Sequence, residues 1–461
     1  LALLGYGASG TFLAFTLKPL LARYRLALLI NIALFGLSTL LCFLSVQAIA
    51  FNPDEVAFDT GQWLRLVGMY LLLALPFFFT ANAIGLALAQ ARGKLSRVYA
   101  ADLLGAGIGS LLIIVLLFVV FPLAALRLIT IIGLLTALLA AWETGLRARS
   151  LALIPVAALI VSLLPVNWLE LSPSPYKDLN QTLRSTGSHI VEQHSSPLGL
   201  ISIVDSPVVP FRHAPGLSLN AASEPPPQLG LFVDGNGPSA INQLADSKKR
   251  LDFLAQMTSS LPYYVIQPGK VLIPGSGAGT DVLQALHLSN ATIDAVEINP
   301  QIIELLRNEY RGYSGDLFHH PRVSLFNAEG RGFLHSHDKQ YDLIQLPSMD
   351  GFGASSTGLL SLSEDYLYTV ETFKQYLEHL APDGMLAINR WIKMPPRDTL
   401  KVLSTAIQAL QELGVQQPGK RLALIRGWQT SLLLVKNGDF NETELSAIRQ
   451  FVEQRSFDLA Y

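Results

Sequence analysis

A single cysteine in 461 residues, Cys42, sits within an apolar run. That excludes a disulfide scaffold and any zinc site built on thiolates, and Cys42 reads as a small buried apolar residue. Charge is scarce as well: 15% of residues are charged, the net charge is -2, and no arginine-rich run occurs. With no basic field to meet phosphates, no nucleic-acid partner is expected. No residues stand at the spacings of a Ser-His-Asp or Cys-His nucleophile system. The histidine pairs His319-His320 and His335, His337 are neighbours that do not share a helix face, so no metal is expected.

Half of the residues are hydrophobic instead. The charge is also unevenly divided, with ten Lys or Arg and six Asp or Glu from Leu1 to Glu170, against 23 and 29 in the remainder. Two unlike halves explain the average.

Five apolar runs, 26 to 50, 64 to 91, 103 to 121, 122 to 142 and 151 to 169, approach or exceed the ~18 to 20 residues that span hydrocarbon. Leu1 to Leu17 makes a sixth. It opens without methionine inside an apolar run, which reads as a fragment with helices missing upstream. At Phe121-Pro122 two runs meet, and a tight hairpin fits ~30 Å of hydrocarbon better than one helix of about 40 residues. Lys18, Arg23 and Arg25, then Arg92, Lys94 and Arg97, then Arg147 and Arg149 mark cytoplasmic loops, whereas Asp54, Glu55 and Asp59 share an acidic one. Six full spans would put the following domain outside the cytoplasm, away from a cofactor made in the cell, so its side is left open. Gly105, Gly107 and Gly109 suit close helix packing, and Asn31 and Asn82 suit interhelical hydrogen bonds.

From Ser172 the composition turns polar and proline-rich, directly after the interfacial anchor Trp168. The segments SHIVEQH, LGLISIVDS and QLGLFVDG then read as antiparallel strands. Between the second and third lies PVVPFRHAPGLSLNAASEPPP, a surface loop with a substrate lid as its functional alternative. The expected organisation is a transmembrane helical domain over 1–170, a small β-rich subdomain over 171–268, and a Rossmann-like nucleoside-cofactor domain over 269–461.

That last region opens with KVLIPGSGAGTDVLQALHL, a buried strand, a glycine-rich turn and an amphipathic helix, and IDAVEINPQIIELLRNEY repeats the order. Alternating strands and helices specify a parallel sheet covered by helices. Gly275, Gly277 and Gly279 let the backbone turn sharply and approach a ligand. Their G-x-G-x-G spacing differs from the G-x-G-x-x-G that seats a pyrophosphate, and points to a ligand without phosphate. Glu297, about twenty residues on, ends the second strand where a carboxylate accepts bonds from both ribose hydroxyls. Glu329 follows the third strand, placed to accept from an adenine amino group, and the fourth strand delivers Asp350. The Gly/Ser segment after Asp350 reads as a gate, with Glu364 and Asp365 at the start of its helix.

VLIPGSGAGTDV, IDAVEINP, HPRVSLFNAEGRGFL, YDLIQLPSMD and YLEHLAPDGMLAI, preceded by FVDGNGP, together resemble the spermidine synthase-like proteins, particularly bacterial versions fused to membrane helices. The resemblance runs from about Tyr176 to Trp391. It implies a multi-span α-helical membrane domain followed by an α/β Rossmann-like S-adenosylmethionine-type domain with a small β-rich front subdomain. It also implies that Gly275, Gly277, Gly279, Glu297 and Glu329 bind the nucleoside and that Asp350 is the second acid of the catalytic loop. Three positions differ from the family pattern: Ala278 stands where the glycine turn has an acid, Pro347 where the catalytic loop begins with one, and the longer Glu329 where the family has a shorter acid.

The implied activity is a membrane-bound transferase moving an aminopropyl group from decarboxylated S-adenosylmethionine to a polyamine or related amine. Methyl transfer from S-adenosylmethionine to another acceptor uses the same displacement with less need of acids, and Ala278 and Pro347 keep that reading open. A third reading is a transporter or sensor whose Rossmann domain binds a ligand to bias the helices. The implied partners are a small-molecule amine and the lipid bilayer, with room for a homo-oligomer, and the implied location is the bacterial inner membrane.

Overall fold

The computed structural model describes residues 1–52, 55, 56, 58–91, 93–143, 160, 161, 174–244, 248–348, 366–392 and 396–461. Asp350, Glu364 and Asp365 lie outside the described residues, as does nearly all of the run from 151 to 169. Two compact units emerge, Leu1–Pro175 with Ser195–Gly199, and Tyr176–His194 with Leu200–Tyr461.

In the first unit the apolar runs become helices α1 (Ala2–Ala22), α2 (Tyr24–Gln47), α3 (Thr60–Gln90), α4 (Leu95–Val119) and α5 (Pro122–Glu143). Among the described residues four helices, α2 to α5, are long and apolar enough to cross a membrane. Six spans were expected; α1 is continuous, but Gly, Ser, Thr and Lys18-Pro19 dilute its apolar character. Val120, in extended conformation, separates α4 from α5 where Pro122 offers no N–H, so the two runs at Phe121-Pro122 are two helices. Asn82 accepts a hydrogen bond from Ser9 Oγ at 2.7 Å, joining α3 to α1. Asn31 instead donates to Ala27 O within its own helix. Close helix packing falls at Gly36 and Gly133, where a Cβ on Gly133 would lie 3.0 Å from Gly36 Cα. Gly105, Gly107 and Gly109 meet no described atom within 4 Å of a Cβ position, and α4 buries none of its residues.

The second unit holds most of an antiparallel sheet of β1 (His189–Ser196), β2 (Gly199–Asp205), β3 (Gln228–Val233) and β4 (Asn236–Asn242) in sequence order. Its larger sheet comprises β5 (Lys270–Pro274), β6 (Thr292–Glu297), β7 (Val323–Asn327), β8 (Tyr341–Leu346), β9 (Leu380–Trp391), β10 (Leu422–Arg426), β11 (Thr430–Lys436) and β12 (Asp458–Leu459). Their order is β12-β10-β11-β9-β8-β5-β6-β7. β5 to β9 pair in parallel, whereas β9, β11, β10 and β12 pair antiparallel, so the sheet is mixed where a parallel one was expected. The reason is local. β10 and β11 are joined by Gly427-Trp428-Gln429, too short for a crossover helix, and such a turn returns the chain antiparallel.

Strand alternation sends side chains to two cores. Val271 and Ile273 of β5 pack with Ile293, Leu343 and Val282 on one face, and Leu272 packs with Ile344, Phe373 and Ala406 on the other. Both faces are covered by helices, as buried parallel strands require. Consecutive strands run β5, β6, β7 in one direction, then the chain returns to place β8 on the other side of β5. That reversal opens a crevice at the carboxyl ends of β5 and β8, where open α/β sheets hold ligands.

Candidate active site

β5 ends in the glycine turn, and the turn is clasped to β6: Gly275 and Ser276 both donate to Val296 O, at 2.8 and 2.9 Å. Gly275, Gly277 and Gly279 all have positive φ, at 77, 49 and 93°. The three glycines serve different ends. Gly275 and Gly277 line a cavity, and a Cβ on Gly277 would lie 3.0 Å from Ser239 Oγ of β4. Gly279 N-caps the helix Thr280–Leu288 and does not line the cavity; its Cβ would fall 2.8 Å from Leu317 and Phe318. It is the close packing of turn and helix against that segment that demands glycine here.

Glu297, at the end of β6, is 6% exposed and lines the same cavity. Its two carboxylate oxygens accept separate backbone bonds, from Gly277 N–H at 3.0 Å and from Asn299 N–H at 2.9 Å. Burial raises its pKa above the usual carboxylate value, with the backbone bonds opposing. Each oxygen keeps a lone pair for a ligand donor, so the carboxylate is fixed in place before any ligand binds.

The antiparallel sheet closes the front of the cavity. Ser239 Oγ accepts from Ala278 N–H at 3.0 Å, and Asn242 donates to Thr280 Oγ1 at 3.0 Å, which ties β4 to the glycine turn. The result is a cavity of about 230 Å³ bounded by β3 and β4, the turn, the end of β6, Pro347 and Ser348 after β8, and Asn389 of β9. Ser259, Ser276 and Ser348 place hydroxyls on this lining that have no hydrogen-bond partner among the described residues. They are donors and acceptors left over for a polar ligand. A larger depression, about 580 Å³, lies around Leu410, Lys420 and Asp439; it brings no buried acid or unpaired hydroxyl together and lies away from the sheet crevice.

Glu329 stands apart from the cavity. It is exposed and N-caps the helix Gly330–His335, accepting from Arg331 N–H at 2.9 Å and Gly332 N–H at 2.7 Å. Replacing it with alanine is expected to cost about 1 kcal/mol of stability, the usual effect of losing such a cap, read as a fall in melting temperature. A parallel loss of nucleoside affinity would show that the carboxylate also reaches the ligand.

Two cavity residues were not legible as such in the sequence. Asp281, in the first turn of the helix Thr280–Leu288, accepts from Gln345 Nε2 at 2.6 Å. Burial pushes its carboxyl up to about 6 against that bond. Gln345 also receives Tyr263 Oη at 2.7 Å and donates to Gln284 at 3.0 Å, making a buried network of neutral groups around the acid. His213 comes from the proline-rich loop. Its backbone is held by both ends of the Gln228 amide, its ring stacks on Phe211, and burial holds its imidazole down at about 4. The loop is pinned further by Ser218, whose N–H and Oγ donate to Gln256 O and Arg455 O. An acid in the first turn of the helix after a glycine turn was the available signal for Asp281. For His213 there was none, because the loop has no periodicity.

Away from the cavity, Glu192, His194 and Glu309 bring ligand atoms within 4.8 Å of one another. Glu192 is engaged by Tyr310 and His194, and the Tyr310 bond holds its pKa low against burial. This cluster was unforeseen, since the three residues are far apart in sequence.

Residues 252–418 match the spermine/spermidine synthase domain. The polyamine aminopropyltransferase of Clostridium perfringens (strain 13 / Type A) is 32% identical over 117 residues, 25% of this chain and 38% of that protein. Those of Korarchaeum cryptofilum and Lachnospira eligens are 29% identical, over 121 and 162 residues, 26% and 35% of this chain and 35% and 52% of theirs. The chain thus spans about half or less of the length of these curated relatives. Spermidine synthase from Thermotoga maritima aligns over 59% of this chain and 80% of its own at 16% identity, with a TM-score of 0.37.

Proposed function

We propose that this chain, whose residues 252–418 form a spermine/spermidine synthase domain, transfers an aminopropyl group from decarboxylated S-adenosylmethionine to a polyamine or related amine. The observation that carries this reading is the fixed pair of glycine turn and Glu297 at the sheet crevice, a cradle for a ribose with no lysine or arginine among its described lining residues to meet a phosphate. In the reaction the amine lone pair attacks the carbon next to the sulfonium. The carbon–sulfur bond breaks with its electron pair passing to sulfur, methylthioadenosine leaves as a neutral thioether, and the amine gives up a proton. Holding the two reactants in line supplies much of the rate.

Gly275, Gly277 and Glu297 are assigned to the ribose. Asp350, outside the described residues, is assigned on the sequence to the departing proton. Gly279 and Glu329 are assigned to the nucleoside through the turn and helix that they shape. Four helices long enough to cross a membrane support attachment to a bilayer. Incubation of the purified chain with decarboxylated S-adenosylmethionine and putrescine is expected to give spermidine and methylthioadenosine, resolved by chromatography. Absence of both products would sink the proposal. Ala278 and Pro347 favour a second reading, methyl transfer from S-adenosylmethionine, which a tighter calorimetric affinity for that cofactor than for its decarboxylated form would support.

A further inference from the structure

The cavity crosses four strand ends, and its two extremes differ. The order β9-β8-β5-β6 puts β9 three strands from β6, roughly 14 Å across the sheet. Glu297 stands at the β6 end, and Asp281 lies in the helix that follows the glycine turn after β5. Asn389 of β9 marks the other end. Beside it, Thr258 donates to Asn389 Oδ1 at 3.5 Å and, through its N–H, to Gly216 O of the proline-rich loop at 2.9 Å. That contact brings His213 and Pro215 to the lining, and apart from the two acids His213 is the one titratable side chain among the described lining residues.

The His213 ring is held by its surroundings and has its hydrogen-bonding atoms to spare. It is half-buried, stacks on Phe211 with planes 9° apart and centroids 5.8 Å apart, and has Trp391 of β9 on another side at 6.3 Å. Among the described residues neither ring nitrogen makes a hydrogen bond. The backbone of the same residue is fully engaged: its N–H donates to Gln228 Oε1 at 2.7 Å and its carbonyl accepts from Gln228 Nε2 at 3.1 Å. Gln228, 4% exposed, also donates to Asn242 Oδ1 at 2.8 Å, and Asn242 donates to Thr280 Oγ1 at the start of the helix after the glycine turn. Two buried amides therefore fix where His213 stands relative to the glycine turn. Burying amides carries a desolvation cost that a solvated loop avoids, and what it secures here is the placement of one imidazole at the cavity.

We propose that His213 orients the second reactant: a ring nitrogen accepts a hydrogen bond from the N–H of the attacking amine and turns its lone pair toward the carbon beside the sulfonium. The assignment rests on the aminopropyl-transfer reading of the cavity. With the ribose on Glu297, the β9 end is the part of the cavity left for the amine. An imidazole suits this end better than a carboxylate. A carboxylate in contact stabilises the ammonium form of an amine, which has no lone pair for attack, whereas an uncharged imidazole holds the N–H and leaves the proton easier to lose. Burial keeps this ring down at about 4, so at neutral pH it carries no charge to repel the sulfonium. The departing proton remains assigned to Asp350, and His213 binds and orients.

Calorimetric titration of putrescine into the purified full chain saturated with methylthioadenosine tests the assignment, together with initial rates of aminopropyl transfer. His213→Phe keeps a ring to stack on Phe211 and has no nitrogen. It should weaken putrescine roughly ten- to a hundredfold, while methylthioadenosine changes by less than about threefold. His213→Gln, whose amide oxygen accepts the same bond, should weaken putrescine clearly less, about threefold. In turnover the phenylalanine variant should raise KM for the amine and lower kcat, and the glutamine variant should recover most of both. Equal losses in the two variants, or a parallel fall in methylthioadenosine affinity, would make the ring a packing element and overturn the assignment. Unchanged putrescine affinity in His213→Phe, or no putrescine binding by the wild type, would overturn it as well. If His213→Phe does not fold, His213→Leu is read in its place. Failure of the wild type to bind methylthioadenosine would instead overturn the nucleoside reading on which the assignment rests, and binding of both ligands without turnover would overturn aminopropyl transfer alone.

Discussion

Glu297→Gln is expected to reduce affinity for methylthioadenosine by roughly thirty- to a thousandfold, about 2 to 4 kcal/mol, while the protein still folds. Glutamine has nearly the same shape, so the loss is chemical. Gly277 and Asn299 each aim an N–H at a different oxygen of this carboxylate, at 3.0 and 2.9 Å. An amide offers one oxygen and one NH2, so one of those donors must face another donor. The ribose loses a charged acceptor as well, and charge-assisted bonds are about twice as strong as neutral ones. The fold is less affected, because burial raises the pKa of Glu297 and the variant no longer desolvates a charge. The sign follows. Whatever stability this carboxyl lends in its protonated form is present at low pH and declines as pH rises through its raised pKa, so the variant gains most relative to the wild type at high pH. Calorimetry and thermal melting of the same samples separate the two effects. Wild-type affinity in the variant would place the ribose elsewhere.

Gly279→Val should cost about 2 to 6 kcal/mol of stability and prevent much of the chain from folding at 37 °C. The φ of 93° strains a β-branched residue, for roughly 1 to 3 kcal/mol. The added atoms also meet Leu317 and Phe318 at 2.8 Å in a filled core, where overpacking costs about 1 to 3 kcal/mol more. Soluble yield and denaturant midpoints measure the effect. Gly275→Ala meets the same kind of backbone strain, at a φ of 77°, and should cost roughly 1 to 3 kcal/mol from that source. Comparable midpoints for Gly279→Val and the wild type would remove the packing argument.

This contrast marks what could be read from the sequence. The three glycines and Glu297 were legible because each answers to a local rule: a strand followed by a turn that only glycine can make, and an acid at the next strand end. The role of Gly279 was not, since Leu317 and Phe318 lie nearly forty residues away and no pattern announces their contact. Glu329 was read as a ligand contact from its place after a strand, but the same place is a helix N-terminus, and the nearby N–H groups of Arg331 and Gly332 claim its oxygens. The covered parallel strands β5 to β8 followed from their apolar runs, whereas the antiparallel edge did not. β10 and β11 are as apolar as parallel strands because both faces of that edge are buried too, so composition could not reveal their direction. Likewise Gly105, Gly107 and Gly109 carried the small-residue signature, while the close contact formed at Gly36 and Gly133.

The proline-rich segment between β2 and β3 has a consequence for the heat and speed of binding. Proline restricts its unfolded freedom, the Gln228 amide and the Ser218 bonds hold it from both sides, and His213 already stands at the cavity. A wall built in advance leaves little chain to order when a nucleoside arrives. The heat-capacity change of association should therefore match the apolar area of the ligand alone, and the on-rate should not wait on that segment closing.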